Sequence, residues 1–303
     1  MSYQPRIDLA GGTASLSRIV FGAWRLLAGA EKPSAKDIGE LIAAAADIGM
    51  TSFDHADVYG GHLVEAAFGE GLAAWGGSRS SVEIVTKCGI VFASAARPQA
   101  NVKHYNTDAS YIVWSVEQSL RNFRTDYVDV LLIHRPDLLA NADEAARGLE
   151  DVVKAGKARA VGVSNFTPSQ FDLLQSRLSI PLATNQIEMS VMRPAPLTDG
   201  ALDHAQLHRY PPMIWSPLGG GALFSGDGEQ ETRLRAALEA ASDGEDISTV
   251  ALAWLLRHPS NPIPVVGSMK VERLKQAFRA LQLELDREKW FAILKASQGR
   301  DVP

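Results

Sequence analysis

Hydrophobic residues along this chain follow two alternating spacings. Short runs rich in β-branched residues, such as residues 128–134, are nearly all apolar, as expected of strands buried on both faces. The longer segments between them repeat their apolar residues every three or four positions, as Ile112, Val116 and Leu120 do, and this spacing predicts amphipathic helices. The chain is therefore predicted to alternate strands with helices.

The predicted elements form a regular series. The strands are residues 18–22, 51–54, 82–87, 128–134, 158–164, 182–188, 213–216 and 263–266. The helices are residues 34–48, 63–75, 108–123, 143–155, 248–257 and 271–281, and another begins at Thr167. Eight strand units, each followed by helix-compatible sequence, fit a closed parallel (β/α)8 TIM barrel, which we expect to form a single domain over residues 1–303.

An open doubly wound α/β sheet would show the same alternation of elements. However, no strand is followed by the G-x-G-x-x-G turn that dinucleotide-binding sheets of that kind use. Residues 90–107 match neither a helix nor a strand, and connections of this length are often active-site lids.

Composition narrows the classes of partner. With 303 residues, 46% hydrophobic, and a formal net charge of −5, the chain resembles an ordinary globular protein and has no basic run suited to nucleic acid or anionic lipid. The single cysteine, Cys88, excludes an internal disulfide. There is no signal-peptide pattern and no apolar run of the ~20 residues that span a membrane. We therefore expect a cytoplasmic location and neither a nucleic-acid nor a membrane partner.

Ionisable residues follow the predicted strands at the point where each strand ends. Asp54, Lys87 and His134 end the second, third and fourth strands, and Tyr59 follows Asp54 by five residues. The carboxyl ends of barrel strands share one rim, where the active sites of such barrels lie, so these four side chains are predicted to converge.

Their chemistry suits the transfer of a proton to a carbonyl that is being reduced by hydride. Tyr59 would donate the proton, with its pKa drawn down from ~10 by the ammonium group of Lys87. Asp54 would balance the charge of Lys87, and His134 would orient the carbonyl. Ser164, Asn165 and Gln186 lie at the ends of the next two strands, on the same rim.

The residues that carry these groups resemble the aldo-keto reductase superfamily, nearest to its bacterial NADP-linked branch. The resemblance rests on residues 54–60, 86–87, 131–137, 161–166, 185–186, 215–219 and 266–268, which occur in the family's order over nearly the whole chain. It implies that Tyr59 is the proton donor of a reductase that acts on an aldehyde or ketone, with Lys87, Asp54 and His134 as the other catalytic residues.

The resemblance also implies a nicotinamide cofactor site. Ser164, Asn165 and Gln186 would hold the carboxamide, and Trp215 would stack on the nicotinamide ring. Gly22 would allow the backbone to approach the cofactor, Ser216, Leu218 and Gly219 would line the pyrophosphate, and Gly267, Ser268, Lys270 and Arg273 would hold the adenosine end. Two cations at a helix N-terminus suit a 2′-phosphate, so NADP(H) is expected rather than NAD(H).

The sequence departs from the family pattern near the substrate and near the adenine. His55 stands where many members have threonine, and Gln276 and Ala277 replace glutamate and asparagine. The residues expected at the substrate mouth are Trp24, His55, Tyr105 and Arg135.

Two other functions draw on some of the same residues. A metal-dependent hydrolase would draw on His55, Asp57, His62, Glu65 and His134, but the chain has no H-E-x-x-H motif and no cysteine pair, and no metal is expected. An NADP-binding regulatory subunit with little turnover is the second alternative. The presence of all four catalytic residues argues against it.

Overall fold

Eight parallel strands close into a barrel in the computed structural model, which describes residues 5–95 and 97–303. In chain order the barrel strands are β1 Val20–Gly22, β2 Ser52–Asp54, β3 Glu83–Cys88, β4 Val128–Ile133, β5 Ala158–Ser164, β6 Leu182–Glu188, β7 Met213–Trp215 and β8 Ile263–Val266. Each strand pairs in parallel with its neighbours in sequence, and β8 pairs with β1. The predicted TIM barrel is confirmed, and the open sheet is excluded.

Eleven α-helices lie within the described residues. They are α1 Ala35–Asp47, α2 Val64–Trp75, α3 Ala109–Phe123, α4 Ala142–Lys154, α5 Pro168–Gln175, α6 Ala201–His208, α7 Ala222–Ser225, α8 Glu229–Ala240, α9 Ile247–Leu256, α10 Val271–Arg279 and α11 Arg287–Gln298. The sequence analysis assigned no helix to α6, α7, α8 or α11. None of the helices in the described part of the chain is long and apolar enough to cross a membrane.

Local sequence explains where the predicted helices begin. Ser34 caps α1 and Thr167 caps α5, each accepting a hydrogen bond from the backbone three residues on, and the side chains of Asp37 and Gln170 bond back to the caps. Such reciprocal capping supplies acceptors for backbone N–H groups at the helix start that have no partner within the helix. Gly49 follows α1 with a φ of +88°, a conformation that glycine adopts without strain.

The core has two parts. Inside the barrel, apolar side chains such as Val85, Val130 and Leu132 fill the interior. An N-terminal hairpin of Arg6–Asp8 and Ser15–Ser17, which the sequence analysis missed, contributes Leu9 and Leu16 to this inner cluster. A larger cluster fills the layer between the strands and the helices. Since this interior is packed, the strands' carboxyl ends form a fixed base for the side chains that follow them.

The connection after β3 is not wholly irregular. It contains a short antiparallel ribbon of Ile90–Val91 and His104–Tyr105, and Arg97 forms an ion pair with Asp57 at 3.1 Å. Residues 1–4 and residue 96, which belong to the N-terminal segment and to this connection, lie outside the described residues.

The contact between α2 and α3 provides a test of the fold. A Cβ atom at Gly69 would lie 2.1 Å from the carbonyl oxygen of Asn122 in α3, which is backbone and cannot rotate away. We expect Gly69→Val to lower the free energy of unfolding by about 3 kcal/mol, the upper range for overpacking. Ala73→Val, on an exposed position of α2, should cost only about 0.6 kcal/mol of helix propensity. Denaturant unfolding measures both; equal losses would contradict the close packing of these helices.

Candidate active site

A buried ion pair lies at the carboxyl ends of β2 and β3. The Nζ atom of Lys87 is 2.9 Å and 2.7 Å from the two carboxylate oxygens of Asp54, and 2.7 Å from the carbonyl oxygen of His55. The side chain of Lys87 is fully buried, and that of Asp54 is 3% exposed. Gln186 donates a further hydrogen bond to Asp54 at 2.8 Å. Burial, which disfavours a charged amine, is outweighed by Asp54, and the pKa of Lys87 lies above its ordinary value.

Tyr59 is the third member of this cluster. Its hydroxyl oxygen is 3.1 Å from Nζ of Lys87. An ammonium group can only donate hydrogen bonds, so the tyrosine oxygen must accept here. The phenolic hydrogen is therefore left free to bond to a group in the space beside the ring.

The pKa of Tyr59 differs from the expectation. Burial of the phenol raises its pKa, and although the charge of Lys87 lowers it, the nearby Asp54 carboxylate raises it again. The net direction is upward, whereas the sequence analysis expected Lys87 to draw the pKa down. Lys87 does lower the pKa of Tyr59, as expected, but burial and the Asp54 carboxylate outweigh it, so the predicted net fall is wrong. The phenol is thus the protonated form at neutral pH, as a proton donor requires.

His134 follows β4 and faces Tyr59, with the ring centroids 6.0 Å apart in an edge-to-face arrangement. Burial, together with the positive charges of Lys87, Arg135 and Lys103, holds the pKa of His134 well below its usual value. The imidazole is therefore neutral at physiological pH and carries a single N–H. Its Nδ1 atom is buried without a hydrogen-bond partner among the described residues.

Polar side chains from β5, β6 and β7 form a linked group beside His134. Ser164 donates to the backbone of Gln186 at 2.9 Å, and Asn165 donates to Ser164 at 2.8 Å and to the carbonyl oxygen of His134 at 3.2 Å. The indole N–H of Trp215 donates to Asn165 at 2.9 Å, which fixes the plane of the indole ring. Asn165 adopts a φ of +62°, in the left-handed region that asparagine tolerates better than most residues.

A cleft of about 950 Å³ connects these groups. Of the predicted catalytic residues, Asp54, Tyr59 and His134 line it, whereas Lys87 is sealed behind them. The predicted cofactor residues that line it are Gly22, Ser164, Asn165, Gln186, Trp215, Ser216, Leu218, Gly267, Ser268 and Arg273; Gly219 and Lys270 are not in the lining. Gln276 and Ala277 line its far end. The volume and this run of residues are of the size that a dinucleotide needs.

Backbone close to the cleft is shaped by glycine. A Cβ atom at Gly22 would lie 2.9 Å from Cγ1 of Val265, so this position has no room for a side chain. Gly219, Gly220 and Gly221 have φ values of +61°, +65° and +103°, and the last two line the cleft. The N–H groups of Gly219 and Gly221 donate to the carbonyl oxygens of Ser216 and Leu218 at 2.9 Å and 3.1 Å and close this turn. The glycines therefore offer backbone without side chains, which a ligand can approach closely. These observations fit a dinucleotide with a pyrophosphate.

The mouth of the cleft includes residues that the sequence analysis did not select. Phe92 and Lys103 come from the connection after β3, and Phe224 comes from α7. Arg25, which also lines the cleft, donates to the carbonyl oxygen of Gly220 at 2.7 Å and so links the two sides of the cleft. The predicted mouth residues Trp24 and Arg135 do line the cleft, whereas Tyr105 does not.

His55 does not lie where the sequence analysis expected it. Its side chain is fully buried in the layer outside the barrel, 4.3 Å from the ring of Phe68 and 5.0 Å from that of Phe123. Because strand residues alternate in direction, Asp54 points into the barrel mouth and His55 points away from it. The prediction that His55 contacts the substrate is therefore wrong.

The residues proposed for a metal-dependent hydrolase are not brought together at the cleft. Asp57 contacts Arg97 and Ser115, and Glu65 contacts Thr86 and Asn122, outside the barrel. Neither carboxylate lines the cleft. Only His134 of that set faces the proposed reaction site, so the arrangement gives no support to metal-assisted hydrolysis there.

Comparison with known proteins agrees with this geometry. The sequence model of the Aldo/keto reductase family matches residues 18–298. The chain is 48% identical to the oxidoreductase YdhF of Escherichia coli over 98% of this chain and 99% of that protein. It is 47% identical to a 6-dehydroglucose reductase of Agrobacterium fabrum over 95% of this chain and 96% of that protein. A glycerol dehydrogenase from Gluconobacter oxydans, 25% identical, superimposes with a TM-score of 0.83 over 100% of this chain and 98% of its own.

The burial of His55 predicts a specific effect of pH on stability. Burial, and next the charge of Lys87, lower the pKa of His55 to about 3. Between that value and its unfolded pKa of about 6.5, the unfolded chain binds a proton that the folded chain does not, so acid destabilises the fold. His55→Leu should remove this contribution. The free energy of unfolding of the variant, relative to that of the wild type, should therefore rise by up to about 1.4 kcal/mol for each pH unit below 6.5.

Urea unfolding between pH 7 and pH 5 measures this difference. Phe68→Leu is the matched control, because it alters the same contact without removing a titrating group and should lower stability by a similar amount at each pH. If the free energies of unfolding of His55→Leu and wild type differed by the same amount at every pH in this range, the burial of a neutral imidazole would be contradicted.

Proposed function

The chain belongs to the aldo/keto reductase family, and we propose that it is an NADP(H)-dependent reductase that converts an aldehyde or ketone into an alcohol. The family and its named oxidoreductases support NAD(P)H-dependent reduction of small-molecule carbonyls. The choice of NADP(H) and the roles of individual residues are our proposal. The observation that carries it is the 3.1 Å contact between Lys87 and Tyr59 at the base of the cleft.

Tyr59 is the proposed general acid. Its oxygen is fixed by Lys87, so its hydrogen points to whatever oxygen enters the cleft beside it. A bound reduced nicotinamide supplies the hydride. As negative charge develops on the carbonyl oxygen, Tyr59 gives up its proton, and the adjacent ammonium of Lys87 stabilises the phenolate that results. Asp54 keeps Lys87 charged and in place through its two short contacts.

His134 is proposed to orient the carbonyl rather than to protonate it. Its low pKa keeps the imidazole neutral, so it can offer one N–H to the carbonyl oxygen without bringing a second positive charge next to Lys87. The edge-to-face contact with Tyr59 places both polar groups at the same end of the cleft. Together they define one site for an oxygen atom.

Three features support the cofactor assignment. Ser164, Asn165 and Gln186 supply donors and acceptors suited to a carboxamide, and the fixed indole of Trp215 supplies a flat face. Gly220 and Gly221 line the cleft without side chains, which leaves room for a pyrophosphate to approach the backbone. At the far end, Arg273 and Ser268 line the cleft at the start of α10, where a 2′-phosphate would gain a guanidinium and a hydroxyl.

A sugar-like carbonyl is the substrate class that we favour. Two relatives, 47% and 37% identical, carry the name 6-dehydroglucose reductase. The mouth of the cleft combines the cationic donors Arg25, Lys103 and Arg135 with the exposed indole of Trp24. Such donors bind hydroxyl oxygens, and an indole face packs on a sugar ring. Assays with sugar aldehydes and with apolar aldehydes of equal size test this class.

The alternative of a regulatory subunit makes a different demand. Such a subunit would need the cofactor site but not an oriented acid. Here Gln186 bonds to Asp54, Asp54 bonds to Lys87, and Lys87 bonds to Tyr59, so these side chains fix the position of the tyrosine hydroxyl. We therefore favour the enzyme. A cytoplasmic location stays a prediction from the sequence.

The proton donor can be tested by removing a single oxygen atom. Tyr59→Phe should lower kcat by about 10²–10⁴-fold or more, because the developing alkoxide loses its acid. Binding of NADPH should stay within about twofold of wild type, since the ring and its packing are retained. Steady-state kinetics with a carbonyl panel and fluorescence titration with NADPH measure the two effects. Undiminished turnover would rule out Tyr59 as the acid.

The cofactor preference depends on Arg273. A charge-assisted hydrogen bond contributes about 1.5–3 kcal/mol, so Arg273→Ala should raise the Kd for NADPH by roughly 10–100-fold and change the Kd for NADH little. Lys275→Ala is the matched control, since Lys275 is an exposed cation of the same helix that pairs with Glu272 at 2.8 Å. An equal loss of affinity for both cofactors in Arg273→Ala would refute the 2′-phosphate site.

A further inference from the structure

A second cluster of ligand-type side chains lies on the outer surface of the barrel, between α5 and α6. The Nε2 atom of His204 is 2.9 Å from Oδ1 of Asp172, and the Nε2 atom of His208 is 3.2 Å from the same oxygen. The ligand atoms of these three residues all lie within 4.8 Å of one another. In the described part of the chain this is the only group of three such residues so close together.

The helix geometry explains why the two imidazoles meet. His204 and His208 are four residues apart on α6, so they lie on one face, one turn above the other. Their ring centroids are 4.3 Å apart. Phe171, the neighbour of Asp172 on α5, packs against both imidazole rings, with centroid distances of 4.9 Å and 6.0 Å, and so connects the two helices.

The spacing suits a metal ion. A tetrahedral Zn²⁺ with bonds of about 2.0–2.1 Å to nitrogen and oxygen places its ligand atoms about 3.4 Å apart. The observed contacts of 2.9 Å and 3.2 Å come close to this value, so small rotations of exposed side chains would open the space for the ion. Two imidazoles and one carboxylate are ligands typical of Zn²⁺, Ni²⁺ and Cu²⁺ rather than of Mg²⁺ or Ca²⁺.

One of the ligands already has a supporting partner. The Nδ1 atom of His204 is 2.9 Å from the hydroxyl of Tyr210, which is 3% exposed and whose ring stacks on Phe171 at 4.7 Å. Metal-binding histidines commonly donate their second N–H to such an oxygen, which leaves the other nitrogen free to bind the ion. Access is open from solvent, because the side chains of Asp172 and His208 are 53% and 37% exposed.

We propose that Asp172, His204 and His208 form a binding site for a divalent transition-metal ion, which ties α5 to α6. Zn²⁺ is the probe that defines it. The ion has no part in the reduction, because none of the three residues lines the cleft. The sequence analysis missed the site because the two histidines lack the glutamate of H-E-x-x-H and the third ligand comes 32 residues earlier, on another helix.

Without an ion, the same contacts are explained by two imidazole N–H groups that donate to one carboxylate oxygen. The two explanations differ in what Zn²⁺ does. An ion that binds only the folded chain stabilises it by mass action and raises its Tm. A hydrogen-bonded cluster alone takes up no ion in a fixed ratio.

The experiment uses the full chain, purified without a histidine tag and freed of metal by a chelator. Calorimetric titration with ZnCl₂ at pH 7.5 should give one ion per chain with a Kd in the micromolar range or below, and the same ion should raise Tm. His208→Gln and Asp172→Asn, at half-exposed positions where the fold tolerates change, should each raise the Kd at least tenfold. His104→Gln, an exposed histidine outside the cluster, should leave binding unchanged.

Tyr210→Phe separates a metal site from a general effect on structure. It keeps the ring stacked on Phe171 and removes only the oxygen that supports His204. It should therefore raise the Kd for Zn²⁺ by about 10–100-fold, while the circular dichroism spectrum stays that of the wild type. The proposal is overturned if wild type takes up no Zn²⁺ in a 1:1 ratio at micromolar concentrations. It is equally overturned if His208→Gln and Asp172→Asn bind the ion as wild type does.

Discussion

The buried ammonium group of Lys87 is the constraint on which the site depends. A fully buried cation is costly unless its charge is balanced and its hydrogens are bonded. Here Nζ lies within 3.1 Å of four oxygen atoms, two from Asp54, one from the backbone of His55 and one from Tyr59. Tyr59 is the only one of these oxygens that carries a hydrogen of its own, so the arrangement that satisfies Lys87 also directs that hydrogen into the cleft.

The barrel makes this arrangement possible by fixing where the strands end. Asp54 ends β2, Lys87 lies one residue before the end of β3, and His134 follows β4 directly. Parallel pairing brings these positions to one rim, and the packed interior below them gives the side chains no alternative space. The linked side chains of Ser164, Asn165 and Gln186 continue the same rim around β5 and β6. A single closed sheet thus places the proposed acid next to the proposed nicotinamide site.

Sequence alone predicted the features that depend on periodicity and strand order. The eight strands and the convergence of Asp54, Lys87 and His134 follow from apolar patterns and from the geometry of parallel barrels. Features that depend on three-dimensional surroundings were not predictable in this way. The upward pKa shift of Tyr59 comes from burial together with Asp54, and the apolar surroundings of His55 come from Phe68 and Phe123 on helices distant in sequence. The alternation of strand residues that turns Asp54 into the barrel mouth would have placed His55 outside the barrel.

We propose that Lys87 acts through Tyr59 and not through contact with cofactor or substrate, since Lys87 does not line the cleft. The most direct test is the single-turnover rate of NADPH oxidation in Lys87→Met with a good carbonyl substrate. We expect a fall of about 10²–10⁴-fold in this rate, with the Kd for NADPH unchanged within about twofold. A single-turnover rate equal to that of the wild type would contradict it.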